Sequence, residues 1–228
     1  MQERPRSDAF KFQRTFASEA IAAWRRLLNL NLGDRFPRHT RLFDQGTAAN
    51  TLFLIEEGLI KLTYLQADGK ETILGLRVPG QFAEYCSAEL ATKYFASGET
   101  ITETRVHKVQ TEQLSRVLSG NIEAAALFRT QETADLLNAC IEVVSLKGES
   151  AERRFERLLW QLAIVQEKEA PGDFVRVDGL LSNVELAALI SISPEHLSRL
   201  KHRMLKNGRL QREGNAILFS ITRPQRDR

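Results

Sequence analysis

The chain has 228 residues, of which 43% are hydrophobic and 27% charged, with a net charge of +3. That is the balance of a soluble globular protein with one large domain or two ordinary ones. No run approaches the ~18 consecutive apolar residues of a membrane span, and residues 1–20 carry charges throughout, so neither a membrane segment nor a signal peptide is expected. A cytoplasmic protein without a membrane partner follows. Cys86 and Cys140 are the only cysteines; two lone thiols read as small hydrophobes rather than a disulfide, and they are too few for a four-cysteine cluster.

Residues 1–34 are polar, with a helix predicted over Ser18–Asn29, where Ile21, Trp24, Leu27 and Leu28 share a side. From Arg41 the period shortens. TLFLIEEGLIKLTYL alternates around Gly58, and ETILGLRV follows the Asp68-Gly69 pair, a strong hairpin signal. Pro79-Gly80 marks another turn, and strands are predicted over Thr100–Thr104 and Val106–Val109. Many short strands with regular turns argue for a β-sandwich or barrel. No phosphate loop, nucleophile motif or metal-ligand spacing stands in it, so no catalytic residue, metal or cofactor is expected.

After Val109 the pattern turns helical, over Thr111–Leu118 and then Asn121 to about Lys147. In the second helix Leu127, Thr130, Ala134, Leu137, Ile141 and Val144 recur at alternating spacings of three and four, a heptad seam. The alternative is a single amphipathic helix lying on its own domain; the strict seven-residue repeat favours a dimer seam, firmest at Leu137, Ile141 and Val144. Lys147-Gly148-Glu149-Ser150 breaks the helix. Ala151–Val165 is a further amphipathic helix, Glu169–Asp173 a loop, and Phe174–Val177 a short strand.

The most informative stretch is Ser182–Gly208. Ser182 and Glu185 stand three apart before an apolar run, a capping box that starts a short helix carrying Val184, Leu186, Ala187, Leu189 and Ile190. Ser191-Ile192 is a tight turn. Ser193 suits an N-cap and Pro194 a first helical position, and the second helix runs to Asn207-Gly208. At ~100° per residue Leu197, Leu200 and Met204 fall on one side. Glu195, Arg199, His202 and Lys206 fall opposite, with Ser198 beside them. This is helix-turn-helix geometry, in which the second helix enters the major groove; the plain alternative is a helical hairpin with a solvated face. From Leu180 onward nine Lys/Arg face four acids, so the positive charge of a near-neutral chain is concentrated there, as phosphate contacts require. LQREGNAILF then reads as a two-stranded wing turning at Glu213-Gly214-Asn215, from which Arg212 could reach a DNA backbone. The expected DNA-contacting set is Ser193, Glu195, Ser198, Arg199, His202, Lys206 and Arg212.

LSNVELAALISISPEHLSRLKHRMLKNGRL resembles the C-terminal winged helix-turn-helix of the CRP/FNR superfamily of bacterial transcription regulators. Glu195-x-x-Ser198-Arg199 is similar to the FNR-like branch, whose members read TTGA-type half-sites; the resemblance implies base reading by these three residues. The chemistry is sound, because arginine pairs bidentately with guanine and a carboxylate accepts from the cytosine amino group. Upstream, Phe43-Asp44-Gln45-Gly46, Leu54–Lys61, Gly69 and Pro79–Glu84 resemble the β-roll of the same superfamily, related to cyclic-nucleotide-binding domains. The resemblance spans roughly residues 35–220 and implies an α+β chain: a β-roll sensor domain over 1–119, a dimerisation helix over 120–147 and a winged helix-turn-helix over 148–228. Implied partners are a palindromic double-stranded operator, a second copy of the chain, and RNA polymerase.

Two departures bear on the effector. Nucleotide-binding members carry Gly-Glu and then Arg-Ser/Thr about ten residues later, with the arginine on the cyclic phosphate. Here Ala83-Glu84 replaces the first pair, Tyr94-Phe95 falls at the second, and no arginine lies between Arg77 and Arg105. A cyclic phosphate without that guanidinium would be a poorly paired buried anion, costing several kcal/mol, so cAMP is not expected to bind by the usual cassette. Glu84 and Lys93 are the candidate effector-binding residues, for another anion. The iron–sulfur chemistry of the oxygen-sensing type member does not carry over, because no cysteine precedes Cys86. His39 and His107 as haem ligands, or Cys86 as a thiol switch, have weaker support than simple packing. Alternatives to an effector-modulated regulator are a constitutive DNA binder with a ligand-free β-roll and a regulatory subunit acting on a partner protein.

Overall fold

The computed structural model describes residues 6–84, 93–166 and 174–220. The chain divides into two compact units, Met1–Ile141 and Glu142–Arg228.

The first unit opens with α1 (Arg6–Leu27), which starts three turns before the predicted Ser18. Its last turns place Ala20, Trp24 and then Leu28 at four-residue intervals, all buried. Among the described residues seven strands follow: β1 (Asp34–Phe36), β2 (Arg41–Phe43), β3 (Thr51–Glu57), β4 (Ile60–Leu65), β5 (Glu71–Arg77), β6 (Ser97–Thr100) and β7 (Thr104–Gln110). They form two antiparallel sheets, ordered β1-β7-β3 and β2-β6-β4-β5. β3 is buried on both faces, which is why TLFLI reads as a continuous apolar run. Phe53 and Ile55 point between the sheets towards Phe43, Ile60, Leu62, Tyr94 and Val106. Leu52 and Leu54 point the other way, against Trp24, Leu28, Phe82, Leu114, Ala124 and Phe128.

Gly58 carries the chain from one sheet to the other, at φ 92°, where a Cβ would lie 2.6 Å from the Glu103 carbonyl oxygen. The expected Asp68-Gly69 hairpin joins β4 to β5, with Lys70 N–H donating to Asp68 Oδ1 at 3.0 Å. The strand expected over Thr100–Thr104 is not formed. β6 ends at Thr100 and β7 starts at Thr104, with a bend between them. β6 instead takes in Ser97 and Gly98, where only a glycine leaves room for the Phe43 ring.

Helices α2 (Thr111–Gly120) and α3 (Ile122–Gly148) close this unit's second core. One face of α3 is tied to its own β-roll. Ala124 and Phe128 are buried, Gln131 accepts from Trp24 Nε1 at 2.9 Å and donates to Gly80 O at 2.6 Å, and Asp135 pairs with buried Arg77 at 2.7 Å. Leu127, placed in the dimer seam from sequence, is half-buried against the same core. Thr130 is exposed, Ala134 half-buried, and Leu137, Ile141 and Val144 are 57%, 53% and 68% exposed.

The second unit contains α4 (Ala151–Gln166), β8 (Phe174–Val177), α5 (Asn183–Leu189), α6 (Pro194–Lys206), β9 (Leu210–Glu213) and β10 (Ala216–Ser220), with sheet order β8-β10-β9. Its buried residues include Phe155, Leu158, Leu159 and Leu162 of α4, Leu186 and Ala187 of α5, and Leu218 and Phe219 of β10. Trp160 meets Phe219 edge-on at 5.1 Å. Val184, expected among the buried residues of α5, is 64% exposed, since two residues before buried Leu186 it falls on the opposite side of this short helix. Among the described residues no helix is long and apolar enough to cross a membrane.

Candidate nucleic-acid interface

The start and stop signals read from sequence position α5 and α6. Ser182 Oγ accepts from Glu185 N–H, and Glu185 Oε2 accepts from Ser182 N–H, so the capping box is complete. Ser191 turns the chain in the left-handed region (φ 55°), an uncommon conformation for a residue other than glycine. Ser193 caps α6 by accepting from His196 N–H at 3.2 Å, and Pro194 takes the first helical position. Leu197, Leu200 and Met204 are each no more than 1% exposed. Burial of such side chains is worth roughly 1.5–3 kcal/mol apiece, so the rotation of α6 about its axis is fixed.

That rotation turns Ser193, Glu195, Ser198, Arg199, His202 and Lys206 to the surface. Ser198, Arg199, His202, Arg203 and Lys206 line one shallow, open depression along the helix. Arg203 completes a basic row with Arg199 one turn earlier; it continues the same four-residue stepping and was legible in the sequence. Glu195 is held below the usual carboxylate range by a hydrogen bond from Ser193, by its own backbone N–H and by Arg199. It is therefore an ionised acceptor at the N-terminal end of α6. Among the described residues no carboxylate pairs with His202, Lys206 or Arg212. Lys201 stands apart: burial and then Arg212 pull its ammonium pKa down, and its Nζ donates to Asn183 Oδ1 at 3.0 Å.

The wing forms as expected. Arg212 on β9 is exposed and lies opposite Ile217 of β10, and Gly214 turns the hairpin at φ 59°. The acid beside it, Glu213, is neutralised by Arg176 of β8 at 2.8 Å.

The candidate effector residues behave differently from each other. Glu84 is 7% exposed; burial pushes its carboxyl up to about 8, and its Oε1 has no hydrogen-bond partner among the described residues. Lys93 is exposed and meets Ala48 in an isolated backbone bridge. Tyr94 fills the roll interior. Its ring stacks on Phe43 at 4.6 Å and its hydroxyl donates to Thr51 O at 2.6 Å. Phe95 lies outside, 58% exposed. His39 is exposed with Nδ1 3.2 Å from Glu99, whereas His107 is buried with Nε2 3.1 Å from Glu56. Among the described residues no group of His, Cys, Asp and Glu is arranged to hold a metal. Cys140 is exposed on α3; Cys86 lies outside the described residues.

Residues 34–121 match the family model for the cyclic nucleotide-binding domain. The nitrogen fixation regulation protein FixK of Azorhizobium caulinodans is 22% identical over 164 residues, 72% of this chain but only 65% of that protein's length. The CRP-like cAMP-activated global transcriptional regulator of Mycobacterium tuberculosis is 24% identical over 185 residues, 81% of this chain and 82% of that protein. Among solved structures, the c-di-GMP responsive global regulator CLP of Xanthomonas campestris has the same fold, with a TM-score of 0.69 at 21% identity over 90% of this chain and 100% of that one. A cyclic-nucleotide-binding-like roll, a long helix and a winged helix-turn-helix thus stand in one chain, the fold of that solved structure. The chain is similar to FixK and CRP-like regulators and shares its fold with CLP.

Proposed function

We propose that the chain is a homodimeric, sequence-specific DNA-binding regulator of transcription, with α6 as the recognition helix. The observation that carries this reading is the division of α6. Leu197, Leu200 and Met204 are sealed in the core while an ionised acceptor, an arginine and two further basic side chains face outward from its N-terminal end onward. Arg199 would pair with guanine and Glu195 with a cytosine amino group, giving TTGA-like arms. His202 and Lys206 lie farther along the helix, where phosphates pass, and Arg212 takes the wing contact.

Dimerisation is supported by the apolar residues Leu137, Ile141 and Val144, each more than half exposed on α3. The packing of Leu127 on its own core supports a seam through the C-terminal half of α3. Two recognition helices would then enter major grooves one helical turn, ~34 Å, apart on a near-palindrome, with RNA polymerase as the onward partner. The buried Tyr94 ring supports an effector other than cAMP bound through an arginine cassette, or a roll with no ligand at all. The test is equilibrium binding of the full chain to a duplex with an inverted TTGA repeat against a scrambled duplex. Preference for the repeat is expected; equal affinity for both would refute the reading.

A further inference from the structure

The end of α3 is held to α4 by polar side chains rather than by apolar packing. Between Leu136 and Gly148, Ser145 is the one buried residue, at 2% exposure. Its hydroxyl donates to Glu149 Oε2 at 2.7 Å and accepts from Arg157 Nη2 at 2.7 Å. The Arg157 guanidinium also reaches Glu149 Oε2 at 2.6 Å and Glu142 Oε2 at 3.0 Å. Ser145 first, and then Arg157, hold the Glu149 carboxyl below its ordinary range.

Glu149 is gripped on its other side too. Arg154 Nη1 donates to the Glu149 carbonyl at 2.7 Å, and the same guanidinium donates through Nε to the Ile190 carbonyl at 2.9 Å. Ile190 is the C-cap of α5, immediately before the turn that launches α6. Beyond α6, Arg209 returns to Glu152 at 3.3 Å and to Glu156. One guanidinium thus joins the α3–α4 linker to the entrance of the recognition helix, and a second anchors its exit to the same two turns of α4. Charge-assisted bonds of this kind are directional, and they fix an angle as well as a contact.

We propose that Glu149, Arg154 and Arg157 are positioning residues that set the direction of the recognition helix relative to the end of α3, and so the spacing between operator arms that a dimer accepts. They touch no base in this scheme; the arms are read by α6, and the relay decides how far apart two copies of α6 present themselves. The inference rests on the dimeric DNA-binding reading above.

The experiment measures affinities of the full-length protein for inverted TTGA repeats whose central spacer is varied one base pair at a time, and for a duplex with a single arm. Wild type should prefer one spacing by at least tenfold. Arg154→Ala should flatten that preference to about threefold or less while keeping the single-arm affinity and the same base preference at each arm position. Ser145→Ala, which removes one hydroxyl and leaves the charges in place, should give a smaller loss of the same kind and provides the test if Arg154→Ala does not fold. Spacing preference unchanged in the folded variants would overturn the relay and leave the regulator reading intact. No spacing preference in wild type would overturn both.

Discussion

Glu84 is a carboxyl buried in the β-roll unit without a hydrogen-bond partner for Oε1 among the described residues, and its pKa stands at about 8 against an ordinary 4.5. Burial disfavours the charged form, so the folded state keeps a proton that the unfolded chain releases. Between pH 4.5 and about 8 the unfolded state therefore binds fewer protons than the native one, and stability falls as pH rises. At 1.36 kcal/mol per pKa unit the full loss is about 5 kcal/mol, of which about 3 kcal/mol falls between pH 5.5 and 8.5. Glu84→Gln stays neutral throughout and should remove that slope. The assay is urea unfolding at both pH values in a Trp160→Phe background, so that Trp24, fully buried in the same unit, reports alone. Subtracting variant from wild type cancels the other titrating groups. A difference that changes by less than about 1 kcal/mol between the two pH values would show that Glu84 is already ionised in the fold and refute the argument.

Leu137→Glu places a charge in the middle of the exposed apolar run of α3 and should convert the dimer to monomer at micromolar concentration; an unchanged sedimentation profile would refute the seam. Calorimetric titration with cAMP should show no binding tighter than millimolar, because the buried Tyr94 ring fills the roll interior against Phe43 and the sequence has no arginine between Arg77 and Arg105 to pair with the phosphate; micromolar binding would contradict that account.

The helix-turn-helix was legible in the sequence because its signals are local. Ser182 with Glu185 and Ser193 with Pro194 cap their helices within three residues, and the apolar stepping of α6 coincides with what is buried. The β-roll was legible in outline through Gly58, Asp68-Gly69 and Pro79-Gly80. The position of β6 was not, because Ser97-Gly98 has no strand-like pattern and is chosen by the Phe43 ring stacked across it. The packing of Leu127 on its own core was not legible for a related reason. A heptad repeat shows that a face is apolar, but not whether the cover is a second copy or the chain's own core. The contacts of Arg154 and Arg157 reach across helices to Ile190 and Glu142, and pairs so distant leave no periodic trace.

The central claim, that α6 reads base edges, is tested most directly by Arg199→Ala on two duplexes, the inverted TTGA repeat and a scrambled control, at one fixed salt concentration. The account predicts a loss of ~1–3 kcal/mol per arm on the repeat, little change on the control, and relaxed preference at one base position in each arm. An equal loss on both duplexes would make Arg199 a phosphate contact and contradict it.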